Sequence, residues 1–518
     1  MTNIGHHFKD RNRILQIPRY SSTAFSRRIF ISIVLASIFI LVGCSGSTEI
    51  NKLEPELSTD IDTYIQQVMD KFDIPGMTIA ITKDGENVFT QAYGVRSLNT
   101  GERMKSDYLF HMASVSKPFV ATAIMQLVEQ GKMDLDAPLI DYLPYFELAD
   151  DRYKDITIRQ MLNHTSGMPD VDDYEWDKPQ YDDGAAERFV RSLNNEQMVG
   201  IPGAHWQYSN MAFDVLGDVI AKVSGQPFET YVKENILDPL GMKDSSFYYP
   251  ETSEKLRTTP HTWRLIPIVS DIYPYNRPHA PSSTLNASVV DMAKWALANL
   301  NRGELDGKRI LQSESYDILW DPSSKRDSQR TVGLSWFIGR YRGTPSVYHG
   351  GRDTGYTSYL TLLPENQIGL ILACNYDMAP LDEISDGVLD ILSGREPKVP
   401  KLSIAMEFAK VYKQDGLQAA KASYEQLKSE AITEYIFGER EFINLSYYLL
   451  YYELVQEAID LLEFNLELYP YVVDAYNSLG EAYLAAGQND KALSALQKSL
   501  EIDPYNQYTI DLINELEE

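Results

Sequence analysis

Residues 110–117 read Phe-His-Met-Ala-Ser-Val-Ser-Lys and open an apolar helical pattern that runs to Gly131. Ser114 and Lys117 are three residues apart, so a helix places their side chains one above the other. Burial of a lysine ammonium favours loss of its proton, and the neutral amine is then a base for a neighbouring hydroxyl. An isolated S-x-x-K pattern is common by chance, so it indicates an active site only together with the segments that follow it.

Two further segments complete a pattern for nucleophilic chemistry. Tyr208-Ser209-Asn210 and then His349-Gly350-Gly351 follow Ser114 in that order. Tyr208 offers a second base, because a nearby cationic lysine can lower the pKa of a tyrosine. The helix N-terminus at Ser114 offers a backbone N–H to a developing oxyanion, and the two glycines let substrate approach a neighbouring strand. The pattern predicts an activated serine.

The secondary-structure pattern indicates an α+β fold. Helices are predicted near residues 59–72, capped by Ser58 or Thr59, and near 377–392. Short helices and long polar loops, such as 170–184, fill the middle of the chain. Strands are predicted at 76–82, 87–93, 332–341, 346–349, 357–363 and 368–374. Strands at both ends of a helical middle indicate one antiparallel sheet with helices packed on it.

At this point the chain resembles the serine β-lactamase and penicillin-binding-protein superfamily, in its class C-like branch of esterases and D-amino-acid peptidases. The match spans about residues 60–392. It is carried by these segments: Phe110–Lys117, Ile158–Gly167, Pro202-Gly203 before Tyr208–Asn210, Gly333–Trp336, and His349–Gly351 with Gly355 and Ser358. The resemblance implies the α/β transpeptidase sandwich with flanking helices and an all-helical lobe.

The resemblance also assigns roles to single residues. Ser114 resembles the acylated nucleophile, and Lys117 resembles its proton acceptor. Tyr208 resembles the second base, which also activates the deacylating water. Asn210 resembles the residue that orients Lys117 and contacts the substrate amide. The oxyanion hole would pair the N–H of Ser114 with one after Gly351, that of Arg352.

His349 occupies a position where the superfamily has lysine or histidine. A lysine would present a fixed positive charge to the carboxylate of a penicillin or a D-Ala terminus, whereas histidine is mostly neutral near pH 7. The substitution favours ester or amide substrates, including D-amino-acid peptides, although the Arg352 charge could restore carboxylate recognition. A β-lactamase or D-Ala-D-Ala carboxypeptidase is the alternative. His349, Gly350, Gly351 and Arg352 are therefore the predicted substrate-binding residues, together with Asn210.

The N-terminus resembles a bacterial lipoprotein signal. Arg27-Arg28 precede an apolar run from Ile29 to Val42, which is too short for an ordinary transmembrane helix. Leu41-Val42-Gly43-Cys44 resembles the lipobox, whose cysteine is lipidated. These features predict a lipid-anchored protein of the bacterial envelope, on the outer membrane facing the periplasm if the cell has one. Translation starting downstream of Met1 would shorten the long leader.

A repeat distinguishes the C-terminal part. A 34-residue spacing resembles the tetratricopeptide repeat, with two clear units and a degenerate one at 401–436. The spacing separates Leu445 from Leu479, Ala458 from Ala492, Leu462 from Leu496, Leu466 from Leu500 and Pro470 from Pro504. The repeats either bind a peptide or protein partner or act as a stabilising cap. The predicted organisation is a signal peptide (1–43), a tether (44–57), a serine hydrolase domain (58–394), a linker (395–400) and an all-α repeat domain (401–518).

Composition excludes other classes of function. The 518 residues carry a net charge of −27, and residues 1–43 hold six basic residues and one acidic residue, so the remainder carries −32. Such a surface does not favour nucleic acid. No H-E-x-x-H, G-x-S-x-G, G-x-G-x-x-G or P-loop pattern occurs, so no metal and no cofactor is predicted. A catalytically inactive peptide-binding adaptor remains the alternative of another class, but the intact Ser114, Lys117 and Tyr208 argue against it.

Overall fold

One nine-stranded antiparallel sheet joins stretches from both ends of the region that contains the serine motifs. The computed structural model describes residues 49–517, so the predicted signal segment and Cys44 lie outside the described residues. In chain order the strands are β1 (Ile50–Asn51), β2 (Gly76–Lys83), β3 (Glu86–Gly94), β4 (Ser324–Lys325), β5 (Thr331–Val332), β6 (Phe337–Tyr341), β7 (Thr344–Asp353), β8 (Tyr356–Leu363) and β9 (Ile368–Cys374). Their order across the sheet is β1-β3-β2-β9-β8-β7-β6-β5-β4.

The first helix lies between β1 and β2, and the other helices lie between β3 and β4 or after the sheet. They are α1 (Pro55–Phe72), α2 (Lys117–Glu129), α3 (Ile158–Leu162), α4 (Ala185–Ser192), α5 (Asn210–Ser224), α6 (Phe228–Val232), α7 (Ala280–Ser283), α8 (Val289–Leu300), α9 (Ser315–Leu319) and α10 (Leu381–Leu392). Helix α8 packs on one face of the sheet, while α1 packs against α10 on the other face. The predicted α+β architecture of a sheet with flanking helices and a helical lobe is confirmed. We call residues 50–392 the sheet region.

Several boundaries differ from the sequence expectation. The strand predicted at 332–341 is divided into β5 and β6, and the one predicted at 346–349 is extended at both ends in β7. The first helix begins at Pro55 rather than near Ser58, because proline at the first helical position has a preset φ and needs no N–H partner. Strand β1 pairs with β3, so the last residues of the predicted tether belong to the sheet region. The last helix of the region begins at Leu381 instead of residue 377.

Residues 402–517, which we call the repeat region, form three consecutive helix pairs and a final helix. The helices are α11 (Ile404–Asp415), α12 (Leu417–Glu430), α13 (Glu439–Tyr451), α14 (Val455–Leu468), α15 (Val473–Ala485), α16 (Asn489–Ile502) and α17 (Gln507–Glu517). The degenerate unit predicted at 401–436 does form a helix pair. The region is not purely helical, since Leu402–Ser403 pairs in parallel with Tyr435–Ile436. No helix within residues 49–517 is apolar enough over the length that a bilayer crossing needs.

Candidate active site

Ser114 and Lys117 meet where a tight turn passes into a helix. Residues Ala113–Ser116 form a 3₁₀ turn and Lys117 is the first residue of α2. Ala113 has a φ of 47°, a strained conformation for a residue with a Cβ, directly before the serine. Lys117 is fully buried. Its Nζ donates hydrogen bonds to Ser114 Oγ (2.9 Å), Asn210 Oδ1 (2.6 Å) and the carbonyl oxygen of Ser282 (2.8 Å).

Burial makes Lys117 an accessible base. It lowers the pKa of Lys117 to about 8, although the negative charges of Asp214, Asp170 and Asp353 oppose the shift. An amine with this pKa spends a substantial fraction of its time neutral near pH 7 to 8. Because Ser114 Oγ is one of its three hydrogen-bond partners, the neutral amine has the serine proton within direct reach. The geometry fits the base-activated nucleophile predicted from the sequence.

Tyr208 lies against the same pair of residues, with its ring centroid 5.1 Å from Lys117 Nζ. Its hydroxyl lies near that of Ser114. Burial raises the pKa of Tyr208, more strongly than the neighbouring Ser114 hydroxyl lowers it. The sequence expectation that the lysine lowers the pKa of Tyr208 is therefore wrong for this resting site. Tyr208 is a protonated hydroxyl, suited to passing a proton rather than to serving as the first base.

His164 packs against the ring of Tyr208 and holds it in position. The two rings stack with centroids 4.2 Å apart, and His164 Nδ1 accepts a hydrogen bond from the Ser209 amide at 3.3 Å. Burial, with Lys117 nearby, holds the pKa of His164 well below its usual value, so the ring is neutral. A φ of 59° at His164 turns the chain toward this contact. These contacts make His164 a positioning residue for Tyr208.

Two acidic residues that the sequence did not single out hold the site together. Asp170 Oδ1 accepts a hydrogen bond from the Asn210 amide (2.7 Å), and Oδ2 accepts one from Asn210 Nδ2 (3.3 Å). Asp353 Oδ2 accepts hydrogen bonds from His111 Nε2 (2.7 Å) and from the Ser283 hydroxyl. Asp353 lies only two residues beyond Gly351, but neither aspartate is part of a readable motif.

Strand β7 brings the third motif beside the serine. A Cβ built on Gly351 would lie 2.5 Å from the Met112 carbonyl oxygen and 2.9 Å from the Ser114 amide nitrogen. The absence of a side chain at Gly351 is what lets the strand approach the 3₁₀ turn so closely. The Arg352 amide follows directly in the chain. This proximity is consistent with an oxyanion hole formed by the amides of Ser114 and Arg352.

His349 lines the site with an uncharged imidazole ring. Burial, with the charge of Lys117 nearby, lowers the pKa of His349 to about 3. Its Nδ1–H donates to the Gly350 carbonyl oxygen at 2.8 Å, which leaves Nε2 as an acceptor, buried and without a hydrogen-bond partner in the described structure. The ring therefore offers an acceptor rather than a positive charge.

The Arg352 side chain does not supply the missing positive charge. Successive side chains of a strand alternate between its faces, so Arg352 lies opposite His349, Gly351 and Asp353. On that side its charge opposes the burial that raises the pKa of Asp377. The expectation that Arg352 restores carboxylate recognition is not met, because only its backbone faces the serine.

Cys374 is buried at the end of β9, and burial raises the pKa of its thiol. Among residues 49–517 no group of histidine, cysteine and acidic side chains is placed to hold a metal ion. His205 is exposed, and the Trp206 ring packs near His164 and Tyr208.

Comparison with known proteins agrees with this geometry. The sequence profile of the β-lactamase family matches residues 61–393, and the tetratricopeptide repeat profile matches residues 473–506. The chain belongs to the β-lactamase family. The site of this β-lactamase family member is thus built by the segments that carried the resemblance in the sequence.

Proteins similar to this chain include both an esterase and a penicillin-binding protein homologue. The chain is 26% identical to protein flp of Staphylococcus aureus over 62% of its own length and 64% of that protein. It is 33% identical to esterase EstB of Burkholderia gladioli over 38% of its length and 53% of that protein. The octameric penicillin-binding protein homologue of Pyrococcus abyssi shares the fold with a TM-score of 0.58 and 26% identity, covering 69% of this chain and 82% of that one. The chain thus spans less than two thirds of the flp and EstB sequences.

Proposed function

We propose that this β-lactamase family member is a serine hydrolase that acts on ester or amide substrates, including D-amino-acid peptides, through an acyl-enzyme. The observation that carries the proposal is the buried Lys117, whose Nζ lies 2.9 Å from Ser114 Oγ and whose pKa is lowered to about 8. The likeness to an esterase and to a penicillin-binding protein homologue supports this class of chemistry.

The proposed reaction uses the described groups in turn. Ser114 Oγ attacks the carbonyl carbon while its proton passes to neutral Lys117. The amides of Ser114 and Arg352 stabilise the oxyanion. The leaving group departs with a proton delivered through Tyr208, and water then hydrolyses the ester to Ser114. Asn210 contacts the substrate amide, held by Asp170.

The neutral third motif supports ester or amide substrates over β-lactams and D-Ala termini. A carboxylate would meet the unprotonated Nε2 of His349, which is an acceptor and repels it. Lys117 is fully buried and Arg352 lies on the opposite face of β7, so neither offers its charge to a carboxylate. The cation on the His349 side is Arg326, whose guanidinium packs over the Trp206 and Phe337 rings.

Intact-mass spectrometry after reaction with a fluorophosphonate tests the function. We expect one adduct on the wild-type protein and none on Ser114→Ala, and a Ser116→Ala variant serves as a matched serine control that still reacts. A folded wild-type protein that forms no adduct would instead favour the peptide-binding adaptor.

We also propose that the protein is exported and anchored in the bacterial envelope through lipidated Cys44. The support is the sequence of residues 27–44 alone. Metabolic labelling with a fatty acid analogue should modify the wild-type protein and leave Cys44→Ala unmodified. Equal labelling of both proteins would refute the anchor.

A further inference from the structure

The repeat region packs against the sheet region next to the active site. Tyr448 and Tyr452, at the end of α13 and just after it, both donate hydrogen bonds to Asp377 Oδ2, at 2.6 and 3.1 Å. Asp377 Oδ1 accepts a hydrogen bond from the Trp263 amide at 3.2 Å, and the Trp263 ring lies 6.0 Å from that of Tyr448. A buried carboxylate with three donors from two regions fixes the position of α13.

The segment around Trp263 also supports the turn that ends β7. The His261 amide donates to the Gly355 carbonyl oxygen at 3.3 Å. Gly355 has a φ of 75° and lies so close to Pro260 that a Cβ would collide with it. The turn Asp353–Tyr356, which we call the rim of the site, is therefore held by the same segment that contacts α13. The positions of α13 and of the rim thus depend on one segment, residues 260–263.

Tyr451 extends from α13 to this rim. Its hydroxyl lies near Thr354 and within electrostatic range of Asp353 and Asp173. Asp353 belongs to the strand that carries the third motif, and Asp173 lies in the loop 170–184 that begins with the Asn210 partner Asp170. The residue is still 63% exposed. Tyr451 thus lies between two walls of the site and remains accessible to a ligand.

An open strand edge leads from the serine to Tyr451. Strand β6 pairs with β7 only as far as Tyr348, whereas β8 pairs with β7 through Asp353. Residues 349–353 therefore have a strand neighbour on one side only in the described structure. Thr354 is three residues beyond Gly351, and an extended chain covers about 3.3 Å per residue, so Tyr451 is reached about 10 Å along this edge.

The position of Tyr208 gives this edge a direction. The His164 ring, which stacks on Tyr208, lies on the side of His349, at the near end of the edge. Arg326 packs there over both the Trp206 ring beside His164 and the Phe337 ring beside His349. A leaving group that takes its proton through Tyr208 departs on that side. The acyl part of the substrate then extends the other way, toward Asp353 and Thr354.

We propose that the repeat region supplies Tyr451 as a specificity residue, which contacts the acyl part of an elongated substrate about 10 Å from the bond attacked by Ser114. The proposal rests on the proposed hydrolase function. It gives the repeat region a part in substrate selection, beyond that of a cap or of a surface for partners. A short acyl group ends before the rim, so Tyr451 acts only on substrates that extend by two or three residues.

The test compares kcat/KM for p-nitrophenyl esters whose acyl part grows from acetyl to one, two and three alanine residues, in D and L forms. In the full-length protein, Tyr451→Ala should lower kcat/KM at least 5-fold for the three-residue ester and change it less than 2-fold for the acetate. Tyr451→Phe keeps the ring and removes the hydroxyl, so it shows which of the two contributes to kcat/KM. Tyr471→Ala, which removes a tyrosine that is 82% exposed elsewhere in the repeat region, is the matched control and should change neither.

Two results would overturn the proposal. Unchanged kcat/KM for the three-residue esters of both stereochemistries removes Tyr451 from the substrate site. An equal loss for all esters, with a lower melting temperature, makes Tyr451 a structural residue. The fluorophosphonate reaction separates these failures from failure of the proposed function, because an active wild-type protein and Tyr451→Ala both react with this small probe at Ser114.

Discussion

At the scale of single residues, the chemistry of the site depends on Lys117, whose side chain is fully buried. All three N–H groups of the Lys117 ammonium have acceptors, so the charged form is well coordinated even though burial disfavours it. Burial and the nearby carboxylates act in opposite directions and place the pKa of Lys117 at about 8, so both the charged and the neutral amine are populated near neutral pH. Lys117 can therefore accept the serine proton and return it later in the same cycle.

The pH dependence of acylation should reveal this balance. Because the base must be neutral, kcat/KM for a short neutral ester should rise with pH and level off above an apparent pKa near 8. Lys117→Arg, whose guanidinium stays protonated, should lower kcat/KM by roughly 10³-fold or more. Stopped-flow or steady-state rates between pH 5 and 10 make the measurement. A flat profile over this range, or a fully active Lys117→Arg, contradicts the assignment.

Sequence alone could predict which residues meet but not all of their charge states. Ser114 and Lys117 are linked by helical spacing, and Tyr208 and Asn210 follow from the motif order, so this group was predictable. The pKa of Tyr208 was not, because it depends on how completely the His164 ring and its surroundings exclude water. Asp170 and Asp353 were also missed, because single aspartates in loops and at strand ends carry no periodic signal.

At the scale of elements, the site is a contact between a strand and a 3₁₀ turn. Gly351 of β7 lies so near the Ser114 amide that even a methyl group would press on backbone atoms. Ser358, opposite Gly351 on β8, donates a hydrogen bond to the Met112 carbonyl oxygen at 2.5 Å and ties the turn to the sheet. The spacing between turn and strand is therefore fixed from two strands at once.

A pair of glycine variants tests this contact. Gly351→Ala should lower kcat about 100-fold or more, because the methyl group displaces the Ser114 amide and loss of one oxyanion donor costs this much. Gly339→Ala, in β6, is the matched control. Its Cβ would meet the Tyr348 ring at 3.3 Å, and a ring can shift more easily than backbone. Ester turnover and circular dichroism of both variants give the answer, and equal losses in the two would rule out the oxyanion explanation.

The sequence predicted the long elements better than the short ones. Apolar runs such as 368–374 and the turn at Asp84-Gly85 are local signals, and they are sufficient to indicate β2, β3, β8 and β9. Strand β1 and the parallel pair at Leu402–Ser403 are two residues long and exist only because a partner strand is present. Local patterns cannot reveal such strands, since their hydrogen bonds come from distant residues.

At the scale of the whole molecule, Asp377 is the buried link between the two regions. Burial raises the pKa of Asp377 to about 6, although hydrogen bonds from Tyr448, the Trp263 amide and Tyr452 and the charge of Arg352 oppose the shift. Neither the tyrosines nor Asp377 stands in a sequence pattern. The repeat itself was readable from its 34-residue spacing, but the surface on which it packs was not.

This carboxyl should make stability depend on pH. The folded protein binds the Asp377 proton more tightly than the unfolded chain, so this contribution to stability falls as pH rises from about 4 to 6 and stays reduced above it. A shift of this size corresponds to about 3 kcal/mol. Relative to Asp377→Asn, the wild-type protein should lose melting temperature between pH 4.5 and 7.5.

Differential scanning calorimetry of the two proteins across this range is the measurement. Tyr448→Phe removes a donor that favours the ionised carboxylate, so it should move the transition to higher pH. Parallel melting curves for wild type and Asp377→Asn at every pH would show that Asp377 does not titrate in the folded state.

The pairing of β2 with β9 also determines when the chain can fold during synthesis. Ile79 pairs with Leu372, so the first hairpin leaves the ribosome long before its central neighbour exists. Until then β2 presents an unsatisfied apolar edge, the kind of surface that chaperones cover. The repeat helices, whose contacts are mainly between neighbours, need no such wait. Because they emerge after the sheet region, α13 can bring Tyr451 to the turn at Asp353–Tyr356 only once the strands that form this turn have been made.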